Sequence, residues 1–508
     1  MDLLEFPKYL YILTKECVSK LLGFKDVSNI LIALFLTISM TPFAVTFFGF
    51  WMLFRSLIDA LLKMVYKDNY VGLMGGIDTS LIICDNCPQL VAFLEYAGTV
   101  EEMERAAIKA VDEAMRSKYE KVFYFQDTFM GYYYYHKGLA SASSFVQLCT
   151  FEGSERLTKK QLSEHLVDTR KTPFINNGRA MFSLNICTNP IYFDDEPNNK
   201  NIYAVSFKFN HCLGDAGCFI KFVSQQIGEL KNSEQPKPSN NTNVPTSTIL
   251  DTIVNSKLLS IPFTDVDKNV LRGYNNRIEV NYIYFNEINP RRFNTLRNIR
   301  KKMGNVNLSS IIGACLGRSL HDYYKKVGAS IPDVITNGHV ISTKIPEIGP
   351  MTSSISAVMI KVPIGKFQDN PLVENVKFLQ HQFKMIQNTM DIEVSFWLAK
   401  FATNLLPDWI TKTLLSLIQV TIGLTNFQGP SEFTLFGNGD VKDLIILPDK
   451  SPGIAIHILV YTFKSGLHIT GTINKSVISD WEKAQEIVDR TIYYLDELGR
   501  TCEEADMK

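Results

Sequence analysis

The 508-residue chain has no excess of either charge, because 52 Lys and Arg residues balance 52 Asp and Glu residues. A nucleic-acid surface needs a cluster of surplus basic residues, so the sequence predicts no DNA or RNA partner. The nine cysteines are odd in number and irregularly spaced, which argues against a disulfide framework. With 46% hydrophobic residues the chain can bury large cores, and it is too long for one ordinary domain.

Several common catalytic and binding signatures are also absent. There is no Gly-x-Ser-x-Gly elbow, which argues against a serine lipase, and no Gly-x-Gly-x-x-Gly unit for a dinucleotide. Cys84 and Cys87 have the spacing of a zinc or redox pair, but no second pair accompanies them. The sequence therefore predicts neither a metal site nor a redox cofactor.

Charge is missing altogether from one stretch, Val27 to Phe54. Within it, Ile30–Phe54 exceeds the roughly 20 apolar residues that cross about 30 Å of hydrocarbon as a helix. It starts too late and is too long for a cleaved signal peptide, whereas a buried core helix or an interfacial helix is an alternative. We expect a single-pass membrane protein, in the endoplasmic reticulum membrane. The basic residues on its two sides are too evenly balanced to predict its orientation.

The rest of the chain mixes strand-like and helical patterns throughout, which indicates an α/β fold. The run Tyr132–Tyr135 is typical of a half-buried strand. The polar stretch Lys231–Ser247, with three prolines, predicts a linker that splits the soluble part into two halves. The predicted organisation is an N-terminal segment 1–26, a transmembrane and juxtamembrane region 27–66, an N-terminal half 72–230, a linker or crossover 231–265 and a C-terminal half 266–508.

Local signals near the C-terminus predict a hairpin and a helix. The hairpin covers Ile454–Ile473 and has a three-residue connection in which Gly466 takes a positive φ. Ser479 and Glu482 form a capping-box pattern, which predicts a helix through Leu498 that Gly499 terminates.

One segment has residues suited to catalysis. Ile202–Phe209 alternates along a strand, and His211 continues its apolar face before a turn through Gly214 and Asp215. An imidazole with a pKa of about 6.5 suits a general base that removes a proton from a hydroxyl or thiol. Asp215 could fix the loop through hydrogen bonds. A histidine that ends a strand is also a common structural residue, so the residues alone leave both roles open.

The segment Phe209–Gly217, which reads FNHCLGDAG, resembles the active-site segment of the wax ester synthase/diacylglycerol acyltransferase (WS/DGAT) family. This family belongs to the acyl-CoA-dependent acyltransferases that share a His-x-x-x-Asp motif, and its own pattern is His-His-x-x-x-Asp-Gly. His211 and Asp215 match the second histidine and the aspartate. Asn210 replaces the first histidine, and Ala216 replaces the final glycine.

Two later segments resemble the same family in order and spacing. Asn307–Ala314 resembles the helix opening after the family's Asn-Asp pair, with Ser309 and Ser310 at the pair and Ser310 as a helix cap. Thr425–Pro430 is similar to the family's Ser-Asn-x-x-Gly-Pro turn. The resemblance extends from roughly residue 119 to residue 498.

The resemblance implies two chloramphenicol-acetyltransferase-like α/β sandwich domains with a central tunnel, preceded by one transmembrane helix. The tunnel would open to acyl-CoA on one side and to the acceptor on the other. His211 would be the general base, and Asp215 would orient the loop. The substrate-binding positions would be Asn210, Gly214, Asn426 and Gly429.

The implied function is an O-acyltransferase that moves a long-chain acyl group from acyl-CoA to a lipid alcohol, without a metal or redox cofactor. A fatty alcohol would give a wax ester, and diacylglycerol would give triacylglycerol. A catalytically silent relative that binds or carries lipid is an alternative, motivated by Asn210 and Ala216. An acyltransferase with an amine or sterol acceptor is another. The sequence makes no prediction of the oligomeric state.

Overall fold

The computed structural model describes residues 27–153, 155–192, 201–231, 269–272, 279–287, 290–342, 351–353, 355–365, 370–387, 391–416, 420–448 and 453–505. The predicted N-terminal segment 1–26 lies outside the described residues, as does the predicted linker beyond Lys231.

The described residues form strands and helices in a mixed order. The strands are β1 Tyr70–Leu73, β2 Gln89–Glu95, β3 Phe125–Phe129, β4 Tyr132–His136, β5 Val146–Cys149, β6 Phe182–Pro190, β7 Ile202–Phe209, β8 Gly228–Leu230, β9 Val280–Asn286, β10 Val334–Ser342, β11 Ile355–Pro363, β12 Val420–Asn426, β13 Phe433–Leu435, β14 Gly439–Leu447, β15 Ile454–Phe463 and β16 Gly466–Asn474. The α-helices are α1 Val27–Tyr66, α2 Gly76–Ile83, α3 Val100–Met115, α4 Lys159–Lys171, α5 Ala216–Lys221, α6 Arg291–Lys302, α7 Leu308–Lys326, α8 Leu372–Gln387, α9 Asp391–Leu405, α10 Asp408–Ser416 and α11 Trp481–Ala505.

Two large mixed sheets dominate the fold. The seven-stranded sheet has the order β5-β6-β7-β2-β14-β13-β8, and the six-stranded sheet has the order β11-β10-β12-β15-β16-β9. A small sheet, β1-β4-β3, stands beside them and contains the four-tyrosine strand that the sequence predicted. Helices cover the sheets, so the predicted α/β class is confirmed.

The C-terminal half of the chain supplies two strands to the N-terminal sheet. β13 and β14 follow the six-stranded sheet's β12 in sequence, yet β14 pairs with β2 and β13 pairs with β8 in the other sheet. β14 also joins the two sheets through buried contacts: Asp443 on β14 lies 2.6 Å from His468 Nε2 on β16. The Tyr461 hydroxyl of β15 donates to the Leu444 carbonyl at 2.8 Å. The N-terminal sheet is therefore complete only when residues 433–447 are in place.

α1 is one continuous helix of 40 residues, about 60 Å long at 1.5 Å per residue. The predicted span Ile30–Phe54 lies within it. Within the described residues, Val45–Asn69 is long and apolar enough to cross a membrane, and 11% of its apolar window is buried. Ile58 and Leu62, farther along the helix, are buried against the tyrosines of β4. The helix thus has an exposed apolar part and a part that packs on the body.

The connection between β15 and β16 differs from the prediction. Phe463 pairs with Gly466, so the connection has two residues, and Gly466 is the first residue of β16. The positive φ angles belong to Lys464 (47°) and Ser465 (67°). Two consecutive positive φ angles match the right-handed twist of a tight hairpin. The predicted three-residue connection with Gly466 at positive φ is wrong.

The last helix, α11, begins and ends at other residues than the sequence predicted. Its N-cap is Asp480, whose Oδ1 accepts the Lys483 N–H at 2.9 Å, and not Ser479. The helix continues past Gly499, because that glycine faces another helix and does not end its own. A Cβ at Gly499 would lie 2.5 Å from Thr295 of α6. The two helices approach closely at this position, and the capping-box and stop predictions are wrong.

A buried histidine gives the fold a pH dependence. His339 on β10 is buried, its Nε2 lies 3.2 Å from Ser309 Oγ, and burial lowers its pKa to about 4. The unfolded chain binds this proton at about pH 6.5, so between these two pKa values the unfolded state holds more protons and folding weakens as pH falls. We expect the free energy of unfolding to drop by about 2 kcal/mol from pH 7 to pH 5 through this group.

Urea unfolding of the detergent-solubilised protein at pH 7 and pH 5 measures this loss. His339→Gln should show a smaller loss than wild type, whereas His381→Gln, at an exposed position of α8, should show the wild-type loss. Equal losses in wild type and His339→Gln would contradict the assignment.

Candidate active site

His211 opens a short 3₁₀ turn, His211–Leu213, directly after β7. Its N–H donates to the Asn86 carbonyl at 2.8 Å, and its carbonyl accepts the Gly214 N–H at 3.2 Å. Its ring meets Phe219 of α5 edge-on, with centroids 6.0 Å apart. The strand, the loop before β2 and α5 therefore all hold this imidazole in place.

Asn210, the residue that replaces the family's first histidine, serves the backbone of the turn. Its Oδ1 accepts the Cys212 N–H at 3.1 Å, and its own N–H donates to the Met181 carbonyl at 2.7 Å. An asparagine that accepts from the backbone two residues on stabilises a turn by itself. Asn210 is buried and is not among the residues that line the cavity beside His211, and its predicted substrate-binding role stays a prediction.

Asp215 caps the helix that follows the turn. Its Oδ1 accepts the Cys218 N–H at 3.0 Å, so it is the N-cap of α5. This contact is the kind that an orienting residue makes, because it fixes where the helix begins. Gly214 lies between turn and helix, where a Cβ would come within 2.9 Å of Cys218 Cβ. Ala216 takes the first helical position, at which no glycine is needed.

His211 and Asp215 border a cavity of about 190 Å³ that both large sheets line. From the N-terminal half the wall includes Leu81, Pro88, Leu90, Phe209, Phe219 and Ile220. From the C-terminal half it includes Gly338, Val340, Ile355, Thr425, His457 and Leu459. Most of these side chains are apolar, so the imidazole faces a space suited to hydrocarbon where the two halves meet. His457 on β15 is a second imidazole in the wall.

Asn426, the last residue of β12, and Gly429, three residues later, do not line the cavity. Thr425 lines the cavity, whereas Asn426 pairs with Val460 in the sheet and Gly429 packs on β15; neither is among the lining residues. A Cβ at Gly429 would lie 1.8 Å from the Thr462 carbonyl oxygen. Glycine is needed there because two backbones touch. The substrate-binding role of these two residues stays a prediction.

We expect Gly429→Ala to destabilise the protein by about 3 kcal/mol, because the clash is with backbone that must shift. Thermal unfolding of the detergent-solubilised variant checks this. Gly75→Ala is the matched control, since a Cβ there meets no atom within 4 Å, and it should leave the midpoint nearly unchanged. An unshifted midpoint in Gly429→Ala would contradict the close approach.

A polar cluster behind the His211 turn had no signal in the sequence. Lys121 Nζ donates to Asp78 Oδ2 at 3.0 Å, to the Met351 carbonyl at 2.9 Å and to the Cys212 carbonyl at 3.4 Å. The Tyr135 hydroxyl donates to Asp78 Oδ2 at 2.9 Å and also lies 3.2 Å from the Cys212 carbonyl. Burial raises the pKa of Tyr135 well above its usual value, so the phenol keeps its proton. This Lys121 cluster ties the turn to α2 and to the C-terminal half.

The predicted cap of α7 is wrong. Asn307 is the N-cap residue, and Ser309 and Ser310 lie inside the first turn of the helix. The Ser310 hydroxyl donates to Gln380 Oε1 of α8 at 3.2 Å, and Ser309 contacts His339. Both serines are buried, so they join helices and strands of the core and do not cap.

Two mixed sheets, one of them completed by two strands from the other half of the chain, and a histidine turn at the cavity between them define a chloramphenicol-acetyltransferase-like fold. Residues 353–495 match the family model described as the WS/DGAT C-terminal domain. This match assigns the C-terminal part of the chain to the wax ester synthase/diacylglycerol acyltransferase family, in agreement with the family resemblance in the sequence. No curated protein matches the chain.

Solved structures with the same fold have very different sequences. The wax ester synthase/diacylglycerol acyltransferase from Marinobacter aquaeolei VT8 is 11% identical, with a TM-score of 0.55 over 85% of this chain and 100% of that one. TRI3 trichothecene 15-O-acetyltransferase from Fusarium sporotrichioides is 9% identical, with a TM-score of 0.56 over 82% and 93%. The first condensation domain of the CDA synthetase is 10% identical, with a TM-score of 0.53 over 85% and 97%. At these identities the matches show a shared fold and confirm the predicted two-domain architecture.

Proposed function

We propose that the protein transfers a long-chain acyl group from acyl-CoA to a lipid alcohol, with His211 as the general base. The observation that carries the proposal is the position of His211 in an apolar cavity lined by both halves of the molecule. A cavity between the two halves can receive a donor and an acceptor at one imidazole. The apolar lining favours hydrocarbon chains on both of them.

The proposed reaction needs one proton carrier. The His211 imidazole takes the proton of the acceptor hydroxyl while the oxygen attacks the thioester carbonyl carbon. The tetrahedral intermediate then expels the CoA sulfur, the C–S bond breaks, and the imidazolium returns its proton to the departing thiolate. The products are an ester and free CoA. No metal or redox cofactor takes part, and acyl-CoA is the co-substrate.

The membrane provides the acceptor in this proposal. Fatty alcohols and diacylglycerols partition into bilayers, and α1 has an exposed apolar part long enough to anchor the protein there. We propose a single-pass protein of the endoplasmic reticulum membrane whose active site takes the acceptor from the adjacent lipid.

An acceptor panel tests the proposal. Membranes that contain the protein receive labelled palmitoyl-CoA with hexadecanol, diacylglycerol, a sterol or a long-chain amine, and the labelled products are separated and identified. We expect wax ester or triacylglycerol with the wild type and neither with His211→Ala. Ester formation that survives the substitution would overturn the mechanism. Purified protein with bound lipid and no turnover on any acceptor would favour the lipid-carrier alternative.

A further inference from the structure

α1 shows where the membrane surface lies relative to the body. The chain has no charge from Val27 to Phe54, and Arg55 is the first charged residue after that run. The Arg55 guanidinium donates to the Asn404 carbonyl at 2.6 Å and to the Met74 carbonyl at 2.9 Å. After Arg55 one side of the helix packs on the protein through Ile58 and Leu62, whereas Leu57 and Met64 on its other side stay exposed, as Leu53 is. Because Arg55 is the first charge and binds carbonyls of the body, we infer that the hydrocarbon boundary lies near Trp51 to Phe54.

The body of the protein also has exposed apolar side chains close to Trp51 of α1. Trp409, in the first turn of α10, has its ring 6.0 Å from that of Trp51 and is 59% exposed. The turn between β3 and β4 contacts α10, since the Asp408 N–H at the start of that helix donates to the Gly131 carbonyl at 2.7 Å. That turn presents Met130, which is 61% exposed. Its neighbour Phe129 is exposed as well, and we call Phe129, Met130 and Trp409 the apolar shelf.

β4 runs along α1, and its direction shows which end of α1 the shelf lies near. Tyr132, at the start of the strand, lies against Phe54, with ring centroids 6.1 Å apart. Farther along, the Tyr134 hydroxyl donates to the Tyr66 hydroxyl at 2.7 Å. Phe54 and Tyr66 are separated by about 18 Å along the helix axis. The β3–β4 turn therefore lies at the membrane end of α1. Leu139, beyond the other end of β4, lies at the far end.

We propose that the apolar shelf rests in the headgroup region of the bilayer that α1 enters, as a second lipid contact beside the helix. The shelf continues the exposed apolar surface of α1 through the Trp51–Trp409 contact, and tryptophan favours the membrane–water interface because its ring is apolar and its N–H is polar. Large exposed apolar side chains gain free energy when lipid replaces water around them. The inference rests on the proposed membrane anchoring and not on the acyl-transfer chemistry.

The second contact has a consequence for the cavity. If α1 alone contacts the bilayer, the body can reorient relative to the membrane. Contacts through both α1 and the apolar shelf determine which side of the body faces the lipid. α2 begins two residues after Met74, whose carbonyl binds Arg55, and it carries Leu81 to the cavity wall. The segment that Arg55 binds is therefore followed directly by a helix that reaches the cavity wall.

Site-specific photocrosslinking tests the shelf in the full chain. A diazirine amino acid replaces Met130, Trp409, Leu53 or Leu139, one at a time, and each protein is reconstituted into phosphatidylcholine vesicles. Irradiation is followed by mass spectrometry of lipid adducts. Leu139 is the matched control, because it is apolar, fully exposed and joined to the same hairpin. Leu53 reports whether α1 is in the bilayer.

We expect lipid adducts at positions 130, 409 and 53 in at least about tenfold higher yield than at position 139. Adducts at 53 with none above the control at 130 and 409 would show that α1 alone contacts lipid and would overturn the shelf. No adduct at 53 would remove the membrane on which the shelf depends and would overturn it as well. Acyl transfer is not the readout, so a failure of the proposed function leaves this result unaffected.

Discussion

Alanine in place of His211 should lower kcat for acyl transfer by about a thousandfold, within the range that general-base catalysis contributes. The imidazole faces the cavity at the end of β7, and alanine leaves the acceptor hydroxyl without a proton acceptor. KM for acyl-CoA should change little, because the substitution removes an interaction made in the transition state. Steady-state kinetics of the purified protein with the best acceptor of the panel measures both constants.

His381→Ala is the control for this experiment, since it removes an imidazole from an exposed position of α8. It should keep wild-type kinetics. Equal thermal midpoints of the two variants would show that the loss in His211→Ala does not come from unfolding. A kcat within a factor of ten of wild type in His211→Ala would mean that another group takes the proton, and His457 in the same wall would be the next candidate.

Lys121→Met should reduce kcat by about ten- to a hundredfold and destabilise the fold by about 3 kcal/mol. Methionine keeps the length of the side chain but leaves Asp78 and the carbonyls of Cys212 and Met351 without the ammonium that binds them. The Cys212 carbonyl belongs to the turn that His211 opens, so the imidazole loses part of its support. Lys121 is a positioning residue and does not touch the cavity.

The kinetic constants separate positioning from simple destabilisation. Measured at a temperature where Lys121→Met is fully folded, kcat should fall while KM for acyl-CoA stays close to wild type. Lys118→Met, three residues earlier and exposed, is the matched control and should alter neither kcat nor the unfolding midpoint. A wild-type kcat in folded Lys121→Met would show that the cluster stabilises the protein without orienting the turn.

The sequence predicted the parts of the site that depend on neighbouring residues. The alternation of Ile202–Phe209 and the glycines after it are local, and they placed His211 at a strand end before a helix. The family resemblance supplied the second half of the site, where Thr425 reaches the cavity one residue before the predicted Asn426.

The Lys121 cluster had no local signal because its members are far apart in the chain. Lys121 lies 43 residues from Asp78 and 230 residues from Met351, and only the folded sheets bring them together. Gly499 was misread for the same kind of reason. A glycine late in a helical pattern usually ends a helix, but here the neighbouring α6 requires a residue without a side chain. Contacts between residues far apart in the chain determine both the Lys121 cluster and the course of the helix at Gly499.

The transfer of β13 and β14 to the N-terminal sheet determines when that sheet can be completed during synthesis. Glu95 of β2 pairs with Asp440 of β14. β2 therefore lacks one of its two neighbouring strands until β14 has been synthesised. At about 5–20 residues per second, roughly 20 to 70 s pass on the ribosome between these two residues. During that time the edge of β2 that β14 will cover has no partner strand. The edge of β2 therefore stays unpaired on this side until residue 447 has been synthesised, and a fragment that stops at the linker leaves it unpaired.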